Sequence, residues 1–393
     1  MNTSPRMLGS TRSQQRGVGI IETMVGLLIG LVVVLVIYNT LIVAEAYKRS
    51  TIGISDAQVT GQLAQFVLNR ELASGGNGLM TDQGLDALAR CDEWRLRPIP
   101  ALVGDGGSPN TSDSVTVFYS NSPTIVHAAS FGGTGASPSP LPVISPNGFK
   151  INDWVIATET AAAATNCALV QVTGITQYPS LNPYPPADVG GTIALSYTFK
   201  AGTTFDHSTG SRAINLGSQV TRTTYSVNAA KQQLDSTDAN PGLAVAATPV
   251  PVAQNIVLLK AQYGIDTDAD PLHLVDCWTS ADNSNTCGNG VDYSIASFQA
   301  VPAPAANSAR IRTIKAIRIA IVVRSEDDVK QDISAGNANG KLQNQTAWLF
   351  NCAANNATCQ GRMQINNTVL NDFRRYRIYE ATIPLRNSIW HPL

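Results

Sequence analysis

The pattern of apolar and polar residues changes sharply along the N-terminal part of the chain. Residues 1–17 are polar and hold three arginines and no acidic residue. Residues 18–43 are mostly apolar and carry a single charge, at Glu22, and Thr23–Ala44 contains no charge and no proline. At 1.5 Å per residue, such a stretch can cross a hydrocarbon core of about 30 Å as one helix. We therefore predict a basic leader at 1–17 and a transmembrane helix at 18–44.

The segment after the apolar stretch keeps a helical pattern but becomes amphipathic. Within residues 45–72, apolar side chains recur at steps of three and four, which is typical of a helix with one buried face. The glycine-rich segment Ser74–Gly78 then ends the pattern. We predict an amphipathic continuation over 45–75, so that one helix of about 55 residues runs from Val18 to near Ala73.

The remainder, residues 76–393, alternates between short runs of β-branched and aromatic residues and loops rich in Pro, Gly and Ser. The loops include Gly132–Pro146 and Tyr178–Val189. The predicted strands are Ser114–Tyr119, Trp154–Thr158, Ala168–Thr173, Thr192–Phe199, Arg222–Val227, Ile256–Tyr263, Ile314–Arg324 and Arg377–Pro384. The predicted fold class is α+β: one long N-terminal helix, half transmembrane and half amphipathic, packed on a large antiparallel β-rich, loop-rich head.

The charges around the membrane helix predict its orientation. Three arginines and no acidic residue precede the helix, whereas Glu45, Lys48 and Arg49 follow it, so the positive-inside rule places the N-terminus in the cytoplasm. A secretory signal peptide would end in an A-x-A-like site after a shorter apolar run, and none is evident. A plain signal anchor would not require Gly17 at the junction or a carboxylate, Glu22, inside the membrane segment. Because a carboxylate in lipid is costly unless it is paired, Glu22 is a candidate functional residue.

Two glycines in the membrane helix, Gly26 and Gly30, have the spacing that allows two helices to approach closely in a membrane. Glycine is also frequent in transmembrane helices for other reasons. Two interpretations of the pair therefore stay open: a role in helix packing, or only the usual frequency of glycine in such helices.

The six cysteines all follow the membrane helix, as expected for disulfides formed after export. Short spacing suggests the pairs Cys277–Cys287 and Cys352–Cys359, which leaves Cys91 with Cys167. Fifteen pairings are open in principle. A metal site is disfavoured because the sequence has no C-x-x-C and its four histidines do not cluster.

An acidic run follows one predicted strand, with Asp266, Asp268 and Asp270 at alternate positions. Carboxylates in such a turn can bind a hard cation such as calcium. Pro271 and Cys277, however, stand where a calcium-binding loop of the EF-hand type has glycine and glutamate. We favour the alternative, a solvated acidic turn, and expect no cofactor otherwise.

Composition excludes several classes of function. Charged residues make up 14% of the chain, against about 25% in an average soluble protein. The net charge is −1, so nucleic acid is not expected as the main partner. The sequence contains no G-x-S-x-G, H-E-x-x-H or phosphate-binding loop motif. We therefore predict a structural protein rather than an enzyme.

The N-terminal stretch Gly17-Val18-Gly19-Ile20-Ile21-Glu22 resembles the type IV (class III) prepilin motif, although Val18 replaces the commoner phenylalanine. The resemblance implies cleavage between Gly17 and Val18 and N-methylation of Val18. It also implies that Glu22 pairs with the N-terminal ammonium of a neighbouring subunit, which removes two charges from lipid together.

Segments of the head extend the resemblance to the PilW family of minor pilins. The segments that carry it most clearly are Tyr263–Asp270, Ile317–Ser325, Arg374–Arg377 and Leu385–Asn387, with weaker similarity at Phe149–Trp154, Cys167–Thr173 and Arg222–Val227. The resemblance implies a minor pilin of the type IV pilus initiation or tip complex, which supports twitching motility and adhesion. Two alternatives stay open: a minor pseudopilin of a type II secretion system, and a pilus-associated adhesin or calcium-dependent binding module.

The same resemblance implies where the protein resides and what it contacts. Before assembly it would be a single-pass inner-membrane protein with its head in the periplasm, and afterwards part of a pilus at the cell surface. The implied partners are other minor and major pilins, the prepilin peptidase and the inner-membrane assembly platform, with a tip adhesin as a further candidate.

Overall fold

We obtained a computed structural model of the chain. It describes residues 17, 19–79, 85–123, 128–131, 141–159, 167–177, 191–197, 211–239, 247–267, 274–282, 287–301, 303–304, 306–326, 347–351, 363–366, 374 and 376–389. By its internal packing the chain divides into two units, Met1–Ile52 and Gly53–Leu393.

The helices are dominated by one long element. Helix α1 spans Ile20–Ser74 and is 55 residues long. The short helices are α2 (Leu85–Ala89), α3 (Ile295–Gln299), α4 (Asn307–Thr313) and α5 (Arg386–Ile389), with single 3₁₀ turns at Trp94–Leu96 and Leu349–Asn351. The predicted length of the long helix is confirmed, and its observed end at Ser74 lies within one residue of the predicted end.

The first unit contains the apolar part of α1. Ile20–Glu45 is 26 residues long, apolar and exposed along its whole length. By length and composition it could cross a membrane. The predicted transmembrane segment, residues 18–44, overlaps it, and that it crosses a membrane stays a prediction.

The second unit is rich in β-structure. Its strands are β1 (Ala101–Gly104), β2 (Ser114–Ser120), β3 (Ala129–Ser130), β4 (Leu141–Val143), β5 (Trp154–Thr158), β6 (Cys167–Gln177), β7 (Gly191–Tyr197), β8 (Arg212–Gly217), β9 (Val220–Asn228), β10 (Gln233–Asp238), β11 (Val250–Gln254), β12 (Ile256–Ile265), β13 (Cys277–Thr279), β14 (Ile314–Arg324), β15 (Ala347–Trp348), β16 (Gln364–Ile365) and β17 (Tyr376–Pro384). Every strand pairing in the described residues is antiparallel.

These strands form three larger sheets and one small hairpin. A central four-stranded sheet has the order β13-β12-β14-β17, and a five-stranded sheet has the order β1-β2-β9-β10-β11. A six-stranded sheet has the order β3-β8-β5-β6-β7-β4, and β15 pairs with β16.

The main hydrophobic core lies between the four-stranded sheet, the five-stranded sheet and the C-terminal part of α1. Strand β14 contributes alternate residues to it, among them Ile317, Ile319 and Ile321, which are fully buried. The other face of the same strand presents Ala320 and Val322 to the β15–β16 hairpin. Both faces of β14 are therefore covered, which explains its nearly unbroken apolar sequence.

A buried ion pair crosses from the loop before β2 to the middle of β12. Lys260 Nζ lies 2.8 Å from Asp113 Oδ1, and the two side chains are 2% and 3% exposed. The other carboxylate oxygen of Asp113 accepts a hydrogen bond from the backbone N–H of Ala261. Burial raises the pKa of Asp113, and the neighbouring ammonium of Lys260 opposes that shift. Removal of either partner would therefore destabilise the fold, because it would leave the other charge buried and uncompensated.

The predicted fold class is confirmed, and each predicted strand overlaps an observed one. Trp154–Thr158 and Ile314–Arg324 have their predicted bounds. The predicted loop Gly132–Pro146 was wrong in part, because Leu141–Val143 forms β4. Leu141 and Val143 face a hydrophobic core, so burial outweighs the loop-like composition of that segment. Residues 178–189 of the other predicted loop lie outside the described residues.

Candidate assembly interface

The predicted processing site precedes α1, which begins at Ile20. Gly17 is exposed, and Val18 lies outside the described residues. Glu22 stands in the first turn of the helix, where a negative charge interacts favourably with the helix dipole. A Cβ atom placed on Gly26 or Gly30 would meet nothing within 4 Å in the described structure. Both glycines therefore leave an open helix surface, and their packing role stays a prediction.

The part of α1 that belongs to the second unit has two different faces. Ala57, Ala64, Leu68 and Leu72 are at most 3% exposed and pack into the main core. At about 100° per residue, Val59, Leu63 and Phe66 point away from that core. Their exposed fractions are 63%, 48% and 63%. This second stripe of apolar side chains (Val59, Leu63 and Phe66) is here called the outer stripe.

Strand β17 holds α1 against the head near the middle of the buried face. A Cβ atom on Gly61 would collide with the aromatic ring of Tyr379, so only glycine lets the ring lie against the helix. Gln65 Nε2 donates a hydrogen bond to the backbone oxygen of Glu380 at 3.0 Å. These contacts fix the helix on the edge strand of the central sheet.

The C-terminal residues hold the end of α1. Asn387 Nδ2 donates to the backbone oxygen of Gly75 at 3.1 Å and lies 3.5 Å from that of Ser74. Carbonyl groups at a helix C-terminus have no partner within the helix, so the amide of Asn387 satisfies them. Leu385 is fully buried in the same core. These contacts give Leu385-Arg386-Asn387, singled out in the sequence, a structural role.

A further contact joins α1 to the five-stranded sheet. Tyr119 Oη donates to Glu71 Oε2 at 2.8 Å. Burial, together with this hydrogen bond to a carboxylate, raises the pKa of Tyr119 to about 12. The hydroxyl therefore stays a donor at physiological pH. We call Tyr119, Tyr379, Glu380 and Asn387 together the helix-docking face.

The acidic run after β12 differs from its predicted form. Asp266 is fully buried, with its Oδ2 3.9 Å from Lys315 Nζ. The interpretation of a solvated turn is therefore wrong for Asp266, because the aspartate is taken into the core beside a buried lysine. Asp268 and Asp270 lie outside the described residues. Within the described part of the chain, no group of three or more His, Cys, Asp or Glu side chains could hold a metal ion.

The glycine of the YGID segment has a structural role that the sequence alone did not indicate. A Cβ atom on Gly264 would lie 2.8 Å from the indole ring of Trp278, so glycine is what allows the ring to approach the strand this closely. The Arg318 guanidinium stacks 4.8 Å from the centroid of the Trp278 ring and 4.5 Å from that of Phe350. Gln262 Oε1 accepts from Arg318 Nε at 2.8 Å. Burial lowers the pKa of Arg318 to about 10, so it stays charged at neutral pH.

Two of the three predicted cysteine pairs are present as disulfides. Cys91 is bonded to Cys167, and Cys277 to Cys287. The third pair, Cys352–Cys359, lies outside the described residues. The Cys277–Cys287 bond closes the short connection after β13 beside the acidic run.

Comparison with known proteins identifies the segment that carries much of the helix-docking face. Residues 221–387 match the family model of PilW, the type IV pilus-assembly protein W. The segment, here called the PilW segment, is therefore similar to the PilW family. The PilW segment runs from β9 to Asn387 and contains Tyr379 and Glu380, whereas Tyr119 precedes it. It supports a type IV pilus-associated role and association with other pilins.

A solved structure of a type IV-like pilin from Thermus thermophilus aligns with 60% of this chain and 85% of its own. Its sequence identity is 9% and its TM-score is 0.20. No curated protein matches the chain.

Proposed function

We propose that this chain is a minor pilin that takes part in type IV pilus assembly, in the initiation or tip complex, and so supports twitching motility and adhesion. The observation that carries the proposal is that the PilW segment supplies β17 and Asn387, which hold the extramembrane part of α1. A segment from a pilus-assembly family thus contacts the helix on which assembly depends. The role is structural and requires no catalysis.

The outer stripe supports association with neighbouring subunits. Val59, Leu63 and Phe66 recur at i, i+4 and i+7, the spacing of a seam against a single helix. Residues 57–69 contain no charged side chain, so no charge opposes burial of this surface. In the proposed filament the stripe faces the helices of other minor and major pilins.

Processing and membrane insertion precede assembly in this proposal. The peptidase cuts between Gly17 and Val18, and Val18 becomes N-methylated. The head then lies in the periplasm, and the inner-membrane platform receives the helix. During assembly Glu22 pairs with the N-terminal ammonium of a neighbour, because an unpaired charge in the bilayer costs about 3 kcal/mol.

Processing is tested by intact-mass and N-terminal analysis of protein from the native host, with and without the prepilin peptidase. A chain that begins at N-methylated Val18 only when the peptidase is present supports the proposal. A chain that keeps Met1, or that is cut beyond the apolar stretch, contradicts it.

Assembly is tested by counting surface pili in a strain that lacks the gene and is complemented with variants. We expect Glu22→Gln to be processed normally but to restore no pili, whereas Glu22→Asp keeps the charge and restores some. Normal pili with Glu22→Gln would refute the role of the carboxylate. Intact pili without the gene, together with impaired protein secretion, would indicate a pseudopilin instead.

A further inference from the structure

Residues 121–219 form an insertion in the five-stranded sheet. Strands β2 and β9 are adjacent in that sheet, and Ser120 is directly opposite Val220 in their register. The two ends of the insertion therefore meet at one pair of residues. A tight turn would connect β2 to β9 equally well, so the five-stranded sheet does not require the inserted residues.

The insertion closes on itself. Its six-stranded sheet begins with β3 and ends with β4, and these two edges meet at an antiparallel bridge between Phe131 and Val143. The backbone N–H of Ile144 also donates to the oxygen of Ser130 at 2.9 Å. Within the described residues the sheet therefore closes into a small barrel, because the strands at its two ends pair with each other.

The barrel has an interior of its own. Side chains from its strands alternate, and those that point inward form a separate hydrophobic core: Phe131, Leu141, Val143, Phe149, Val155, Ala157, Ala168, Val170, Val172, Ile193 and Ala213. All of them belong to the insertion. A chain segment that closes on itself and has its own hydrophobic core can fold as a unit.

Among the described residues, the outside of the barrel packs against the rest of the head in one hydrophobic cluster. Ile156, Leu169 and Ile214 point outward and pack with Leu96 and Phe118 in a third core. The Cys91–Cys167 disulfide lies in the same region and adds a covalent connection. In the described residues, the barrel is thus attached by this hydrophobic patch, by the disulfide, by a hydrogen bond from Ser120 Oγ to the backbone oxygen of Asn215 and by the two chain connections.

The helix-docking face and the barrel do not share residues. In the described structure, the core that packs against α1 contains no residue from 121–219. The contacts of Tyr119, Tyr379, Glu380 and Asn387 with α1 likewise come from outside the insertion. The PilW segment begins at residue 221, directly after it.

We propose that residues 121–219 are an accessory module with its own folding core, and that docking of α1 and pilus assembly do not depend on it. The part concerning assembly rests on the function proposed above. The part concerning folding does not.

Hydrogen exchange of the full-length protein tests the folding part. Val170→Asp places a carboxylate in the barrel interior, where Val170 is fully buried. We expect amides of β5, β6 and β8 to exchange about 100-fold faster or more, while β12, β14 and Gly53–Ser74 keep their wild-type rates. In the matched control, Val323→Asp in the main core, the fast exchange should appear in β12, β14 and α1. Equal loss of protection in all segments of the Val170→Asp protein would show one cooperative unit and overturn the proposal.

A second variant tests the proposal if the barrel tolerates Val170→Asp. In this variant Asn-Gly takes the place of residues 121–219, and Cys91→Ser removes the cysteine that has lost its disulfide partner. Wild-type exchange of α1 and β14, together with wild-type numbers of pili, is expected. Unfolding of α1 and β14 would overturn the folding part. Loss of pili from a protein that folds would overturn the assembly part. If the wild-type gene itself restores no pili, the proposed function fails, but the exchange data still decide whether the barrel is separable.

Discussion

The contact between Gly61 and Tyr379 predicts an unusual response to a small substitution. Gly61→Ala should by itself favour the helix by about 1 kcal/mol, because alanine loses less backbone entropy. In this structure, however, the added methyl group would collide with the ring of Tyr379. Overpacking of this kind costs about 1–3 kcal/mol. The net expectation is a loss of about 0–2 kcal/mol in the free energy of unfolding.

Removal of the ring should reverse the sign. In a Tyr379→Ala background, Gly61→Ala should stabilise the protein by about 1 kcal/mol, which gives a coupling energy of about 1–3 kcal/mol. Urea unfolding of the full-length protein in detergent, followed by circular dichroism, measures all four corners of the cycle. Gln62→Gly and Gln62→Ala, at an exposed neighbouring position, calibrate the propensity difference in the same helix. Equal stabilisation by Gly61→Ala in both backgrounds would refute the argument.

Two further substitutions test the head. Asn387→Ala should lower the free energy of unfolding by about 1 kcal/mol, because it removes the hydrogen-bond donor to the end of α1. Arg386→Ala, at an exposed neighbouring position, should change it by less than about 0.5 kcal/mol. Equal effects of the two substitutions in urea unfolding would contradict the role of the amide. Lys260→Met should cost about 3–5 kcal/mol, since it leaves Asp113 buried without its cation, and Lys260→Met/Asp113→Leu should recover part of that loss. If the double variant loses as much unfolding free energy as the two single variants together, the pairing is contradicted.

The sequence by itself determined the elements whose signal is local. The length of α1 follows from a charge-free stretch and a three- and four-residue apolar spacing, and both patterns are contained within the helix. Strands β5 and β14 appear at their predicted bounds because β-branched residues are dense within each. The Cys277–Cys287 pair was likewise suggested by short spacing.

Only the tertiary structure decided features that join distant residues. Asn387 reaches Gly75 across 312 positions, and no local pattern indicates that pairing. In the sequence Gly264 is an ordinary strand glycine, and only the structure shows that the ring of Trp278 packs against it. Barrel closure depends on the bridge from Phe131 to Val143, which pairs β4, a segment with loop-like composition, with the opposite end of the sheet. In each case the stabilising contact exists only once a distant partner is in place, so the sequence could identify the residues but not their contacts.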